Sequence, residues 1–142
     1  MHPFHKFLDH TADVFFVARG NTLAELFEQC AFAVEETMVE LEKVKPVHHE
    51  KILAEADKVD RLLFDFLDEL VFFKDYKQLV FSKFDLKIDE QEGKYSLTCL
   101  AAGEKIDPLR HNPKVDVKAI TMHEFEVIKD NKGWKAQVLV DI

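Results

Sequence analysis

Two hydrophobic rhythms divide the chain, one repeating every three to four residues and one repeating every two. Phe4 to Leu8 and Val14 to Ala18 read as short strands around a polar segment, Asp9-His10-Thr11-Ala12-Asp13. Arg19-Gly20-Asn21 reads as a turn, and Thr22 followed three positions later by Glu25 forms a capping box. Leu23, Leu26, Phe27, Cys30, Ala33, Val34 and Met38 then make one apolar helical stripe that fades near Leu41. Val44 to Ala56 is predicted as an edge strand with Pro46 near its start. Asp57 is predicted to open a second helix, helped by Asp60 in its first turn. Leu62, Leu63, Phe66, Leu67, Leu70 and Phe73 form a buried face so apolar that this helix should be central.

From Leu79 onward the period is two. Val80 to Ile88 alternates, Glu92-Gly93 turns, and Tyr95 to Leu100 continues as a strand. A loop carrying Asp107-Pro108 and Asn112-Pro113 follows. Two last strands, about Val115 to Ile128 and Lys135 to Ile142, flank a hairpin turn at Asp130-Asn131-Lys132-Gly133. Helices gather early and strands late, which predicts an α+β fold with two principal helices and a mainly antiparallel sheet. No linker or repeat interrupts residues 1–142, so one domain is expected.

Composition narrows the function classes. With 47% hydrophobic residues and 13 Phe, the chain can close a substantial core. No apolar run reaches the roughly 18 residues of a membrane span, and the N-terminus lacks a signal-peptide core. Cys30 and Cys99 lie in patterned segments outside any CxxC pair, and read as buried thiols of a cytoplasmic protein. The net charge of -8 and the lack of a basic run argue against direct, tight nucleic-acid binding. An acidic surface suits either plain solubility or a basic protein partner.

Three segments could carry chemistry. Asp9-His10-Thr11-Ala12-Asp13 places two carboxylates, an imidazole and a hydroxyl at a strand junction, where they could meet a hard cation or bond their own backbone as a turn. At the other end, apolar Ile142 directly follows Asp141, so burial of Ile142 would fix a terminal carboxylate near the aspartate. Two such anions repel, and a divalent cation relieves the repulsion; the alternative is a frayed end. Along 115–121 strict alternation puts Asp116, Lys118 and Ile120 on one face, with Lys118 either solvated or neutralising a carboxylate site. No phosphate-cradling glycine motif, HExxH or zinc spacing is present, and no nucleophile, base and oxyanion hole assemble. His2, His5, His48 and His49 read as solvated.

Taken together, Asp9-His10-Thr11-Ala12-Asp13-Val14, the run from His111 to His123, and the Asp141-Ile142 ending resemble the archease family. Thr22 to Phe27, Phe66 to Val71 and Gly103-Glu104 match as well, while Met122 stands where an aromatic is usual and Phe66 where Trp is frequent; both read as packing positions. The resemblance implies sandwich-like sheet packing and a divalent-metal site held by Asp13, Asp141 and Ile142, the last through backbone or terminal oxygens. It also implies functional parts for Lys118 and His10. Oxygen donors suit calcium, magnesium or manganese better than zinc. The implied role is a non-enzymatic activator of the RtcB-type tRNA-splicing RNA ligase, promoting its guanylylation and repeated turnover. A chaperone-like guard of RNA-modifying enzymes is the competing role, and would require a sizeable exposed apolar patch. A metal-dependent hydrolase is the third, with too few catalytic groups in sight.

Overall fold

In the computed structural model, which describes residues 1–9 and 13–142, the chain runs β1 (Phe4–Leu8), β2 (Val14–Gly20), α1 (Leu23–Met38), a 3-10 turn (Leu41–Lys43), β3 (His48–Ala56), α2 (Val59–Lys77), β4 (Leu79–Gln91), β5 (Lys94–Lys105), β6 (Ala119–Asp130) and β7 (Gly133–Asp141). All described pairings are antiparallel, in one sheet ordered β1-β2-β7-β6 and another ordered β3-β5-β4. The expected α+β class holds. The helices fill the space between the sheets. α1 touches β1, β2 and β7 on one side and β4 on the other, while α2 bridges β6 to β3, β4 and β5. Among the described residues no strand of one sheet pairs with a strand of the other.

Local chemistry explains the boundaries. Thr22 caps α1 through the Glu25 N–H, and Glu25 returns the bond to the Thr22 N–H; such a cap is worth about 1 kcal/mol. The β4–β5 hairpin turns on Glu92 and Gly93, both at positive φ (54° and 78°), as a two-residue primed turn demands. At Gly103 a Cβ would sit 1.8 Å from the Val80 carbonyl, so only glycine lets β5 pass the bulge in β4. Between the sheets, Phe27 stacks on Phe66, which meets Phe84, which in turn meets Phe81 and, through it, Phe73. Aromatic rings from both helices and β4 thus share one continuous core.

Several boundaries differ from the sequence reading. β3 starts at His48 rather than Val44, because Leu41–Lys43 coil into the 3-10 turn first. Lys58, not Asp57, is the N-cap residue of α2, and no side chain caps it. β6 starts at Ala119; residues 115–118 are irregular, so Val117 and Ile120 are both buried while Asp116 and Lys118 are exposed. Strict alternation therefore fails there. Met122, 52% exposed, is not a packing position. It lies in a wide bulge where the pairing passes from Thr121–Leu139 to Glu126–Gln137. Phe66 is fully buried as expected. His5 is not solvated: its ring is 17% exposed and joins Gln29 Oε1 at 2.8 Å and Glu36 Oε2 at 2.7 Å, tying β1 to α1.

The buried face of α1 includes one acid. Glu35 is fully buried, its Oε1 accepting the Phe81 N–H at 3.1 Å and its Oε2 without a partner among the described residues. Burial pushes its carboxyl from 4.5 up to about 8, against the opposing pull of the Phe81 N–H and Lys74. An acid whose pKa is raised by folding retains a proton that the unfolded chain gives up. The native state therefore loses stability as pH rises from about 4.5 to about 8. Glu35→Gln should remove that slope: melting temperatures of variant and parent should diverge in the variant's favour between pH 5 and pH 8, by scanning calorimetry.

Candidate functional site

The antiparallel ladder between β2 and β7 runs from Gly20–Trp134 to Val14–Val140. Asp13, just before β2, and Asp141, the last residue of β7, are the next residues beyond its last pair, so they lie at the same end of the same sheet. Asp141 also pairs with Ala119 at the start of β6, and its carbonyl accepts the Lys118 N–H at 2.8 Å. Three elements thus meet at this tip: the entry to β2, the exit of β7 and the entry to β6. Lys118 is anchored there by its backbone with its side chain exposed. Ile142 follows directly, half-buried and packed against the core, which fixes the backbone around Asp141. Asp9 lies at the exit of β1, exposed, and shares a cleft of about 400 Å³ with Asp13, Phe7, Val14 and Lys114. His10 lies outside the described residues.

The donor set is one of hard oxygens. Among the described residues no three His, Cys, Asp or Glu side chains converge to cage a metal alone. Asp13 and Asp141 supply two carboxylates, so a divalent cation of the calcium or magnesium type held there would need backbone oxygens or water to complete its shell. The Asp141 carbonyl accepts the Lys118 N–H, which leaves its carboxylate and the second lone pair of that carbonyl as donors.

The long loop between β5 and β6 builds one wall of this region; the sequence reading took its first part as a loop and 115–118 as the start of the next strand. Its segment 112–118 docks on the end of α1 and supplies the partners that the helix's last carbonyls lack. Lys114 Nζ donates to the Glu36 carbonyl, the Val115 N–H to that of Thr37, and the Lys114 N–H to that of Met38. A cation at the negative end of the helix adds favourable charge. Lys74 of α2 secures the other side, donating to Asp116 Oδ1 at 2.7 Å and to the Val117 carbonyl at 2.6 Å.

At the loop's start is a buried network around His111. Its Nδ1 accepts the Asp107 N–H at 2.7 Å, so Nε2 carries the proton and donates to Glu104 Oε1 at 2.6 Å. Arg110 Nη1 and the Lys45 N–H reach the same oxygen. Both ring nitrogens are occupied within the fold, so the group positions the loop and offers no free base. The only sequence signal for it was Gly103-Glu104 ahead of the loop and His111 within it.

A two-sheet α+β domain with an acidic tip at the β2–β7 end defines the class. Residues 5–142 match the model of the Archease protein family (MTH1598/TM1083). A protein archease of Methanosarcina mazei is 40% identical over 97% of this chain and 95% of its own length. One of Pyrococcus furiosus is 40% identical over 94% and 95%. The solution structure of Methanobacterium thermoautotrophicum protein 1598 superposes with a TM-score of 0.86 at 36% identity, covering 97% of this chain and 98% of that one. The crystal structure of an archease of Thermotoga maritima, described as a possible chaperone, shares the fold at a TM-score of 0.63 and 18% identity, with both chains fully covered. The chain belongs to the archease family.

Arg110 above all, with His111 and the Lys45 N–H, holds the Glu104 carboxyl from 4.5 down to about 2. A carboxyl depressed by folding stabilises the native state above its unfolded value, and that stability is lost as pH falls from about 4.5 to about 2. Glu104→Gln should be destabilising at pH 7 and progressively less so toward pH 2, in paired urea titrations. A penalty independent of pH would show that the ion pair is not the working interaction.

Proposed function

We propose that this chain is an accessory activator of the RtcB-type tRNA-splicing RNA ligase, acting in the cytoplasm as a protein partner and not as a catalyst. It promotes guanylylation of the ligase and its repeated turnover, through an acidic tip that holds a divalent cation. The observation that carries the reading is the β2–β7 register, which brings Asp13 and Asp141 to one end of one sheet. Asp13 and Asp141 contribute carboxylates, and Ile142 contributes a backbone oxygen held by its packing against the core. Lys118, anchored through the Asp141 carbonyl, moderates the charge of the pair. Asp9 adds negative charge in the neighbouring cleft. A cation bound there would supply positive charge at the contact with the ligase's active site. Calcium, magnesium and manganese all suit the donors.

A second reading, a chaperone-like module for RNA-modifying enzymes, draws on the Phe72–Tyr76 pair on α2. These rings lie 4.6 Å apart, with Phe72 43% and Tyr76 77% exposed. The pair is small against the several hundred Å² expected of a general apolar docking patch, and the activator reading stands ahead of it.

Mixing the protein with its cognate ligase, GTP and manganese, and following guanylylated ligase, tests the proposal. Stimulation is expected with the parent protein. It should fall to the unstimulated level with Asp13→Ala or Asp141→Ala, while direct cation titration shows affinity weakened roughly tenfold or more. Both variants should stay folded, because losing one acid relieves repulsion. Normal stimulation by either variant would separate the tip from the activity.

A further inference from the structure

β4 is the outermost strand of the β3-β5-β4 sheet, so its far edge has no strand beside it among the described residues. The first part of that edge is covered. The Phe81 N–H is taken by Glu35, and Ser82 borders a cleft lined by Phe32, Leu41 and Val44. From Lys83 onward no strand pairs with this edge among the described residues, and Phe84, Leu86 and Ile88 turn to the core side, where Phe32 of α1 packs on Phe84. Lys83, Asp85, Lys87 and Asp89 all stand exposed on the outer side. Their charges alternate, and the alternation is its own complement when read backwards.

We propose that this edge is a self-association surface, on which β4 of a second copy pairs antiparallel about a twofold axis through Leu86. In that register Lys83 faces Asp89 of the other copy and Asp85 faces its Lys87. The symmetry makes each pair twice. On the core side Leu86 meets Leu86 and Phe84 meets Ile88, so the apolar layer continues across the junction. Opposite charges directly across an antiparallel pair stabilise it, and like charges destabilise it. Centring the axis on Asp85 or Lys87 sets like charges opposite, and centring it on Ile88 keeps only one of the two kinds of pair. A slip by one residue turns charged side chains against the core side. The free strand edge supplies the backbone hydrogen bonds, and the charges select the register.

The opposite edge of the same sheet fits a second copy less well. β3 carries a shorter pattern of this kind, Lys51-Leu53-Glu55. However, Asp65, Asp68 and Glu69 of α2 line the groove beside it and would face their own copies across a twofold axis. Those acids already disfavour one another, since Asp68 and then Asp65 add to the burial that raises the Glu69 carboxyl.

Sedimentation velocity at moderate salt distinguishes the outcomes with two variants of opposite sign, Lys83→Glu/Lys87→Glu and Asp85→Lys/Asp89→Lys. The parent protein is expected to dimerise reversibly in the micromolar range. Each variant alone is expected to dimerise at least tenfold more weakly, and an equimolar mixture of the two should regain the dimer. Hydrogen exchange on the parent protein gives a readout that needs no variant: amides within 83–89 should gain protection as concentration rises, and those of β3 should not. A parent protein that stays monomeric up to about 0.5 mM overturns the proposal. So does a variant that dimerises alone as well as the parent, or concentration-dependent protection confined to β3.

Discussion

The pairing of β2 with β7 is the constraint on which the rest depends. It joins residues near the start of the chain to residues near its other end, from Val14–Val140 to Gly20–Trp134. Without it β1 would have no route into the larger sheet, because among the described residues β2 is the strand that β1 pairs with. The pairing also sets where α1 begins: Gly20 closes β2 so near the helix that an added Cβ would lie 2.4 Å from the Leu26 nitrogen. Contacts of such long sequence separation carry a large loop-closure cost. A core spanning both sheets has to offset it. The aromatic chain from Phe27 through Phe66 and Phe84 to Phe81 and Phe73 lies where that offset is made.

The same pairing explains why polar groups accumulate at one end of the sheet. Strands that stop together leave their flanking segments together. Here those segments are 9 and 13 from the first hairpin, 141–142 at the end of β7, and 114–118 before β6. The last of these would be a free loop were it not tied to α1 and α2. Lys114 and Val115 complete the carbonyls of α1, and Lys74 of α2 pins Asp116 and Val117. Upstream, Glu104 gathers Arg110, His111 and the Lys45 N–H onto one oxygen. The loop's shape is thus specified by polar bonds, part-buried at His111 and Val117 and more exposed at Lys114 and Asp116.

Much of this was legible in the sequence where one physical signal dominated. Thr22 and Glu25 named the start of α1, Glu92-Gly93 named a tight hairpin, and the apolar face of α2 named the central helix. The proximity of Asp13 to Asp141 followed from the family resemblance, while their own spacing left it open. Legibility failed where tertiary contacts outweighed local pattern. Residues 115–118 alternate like a strand, yet the ends of two helices hold them irregular, and both Val117 and Ile120 turn inward. His5 looked like a solvated end residue because Gln29 and Glu36, its partners, lie far away in sequence. Met122 was misread because nothing in the sequence marks the wide bulge that interrupts the pairing of β6 with β7 there.

The arrangement of charge bears on what kind of partner the protein meets. All three arginines, the side chains best shaped to grip phosphate, are committed to carboxylates of the fold. Arg19 forks onto Asp130, Arg61 reaches Asp65, and Arg110 joins Glu104. Lys74 and Lys114 are likewise spent on Asp116 and on helix carbonyls. Releasing Arg110 toward an RNA backbone would leave Glu104, 12% exposed, without its strongest partner. The acids at the tip have no such commitments in the hydrogen bonds described, and the protein as a whole carries eight excess negative charges. A chain arranged in this way repels a polyanion and attracts cations and basic surfaces.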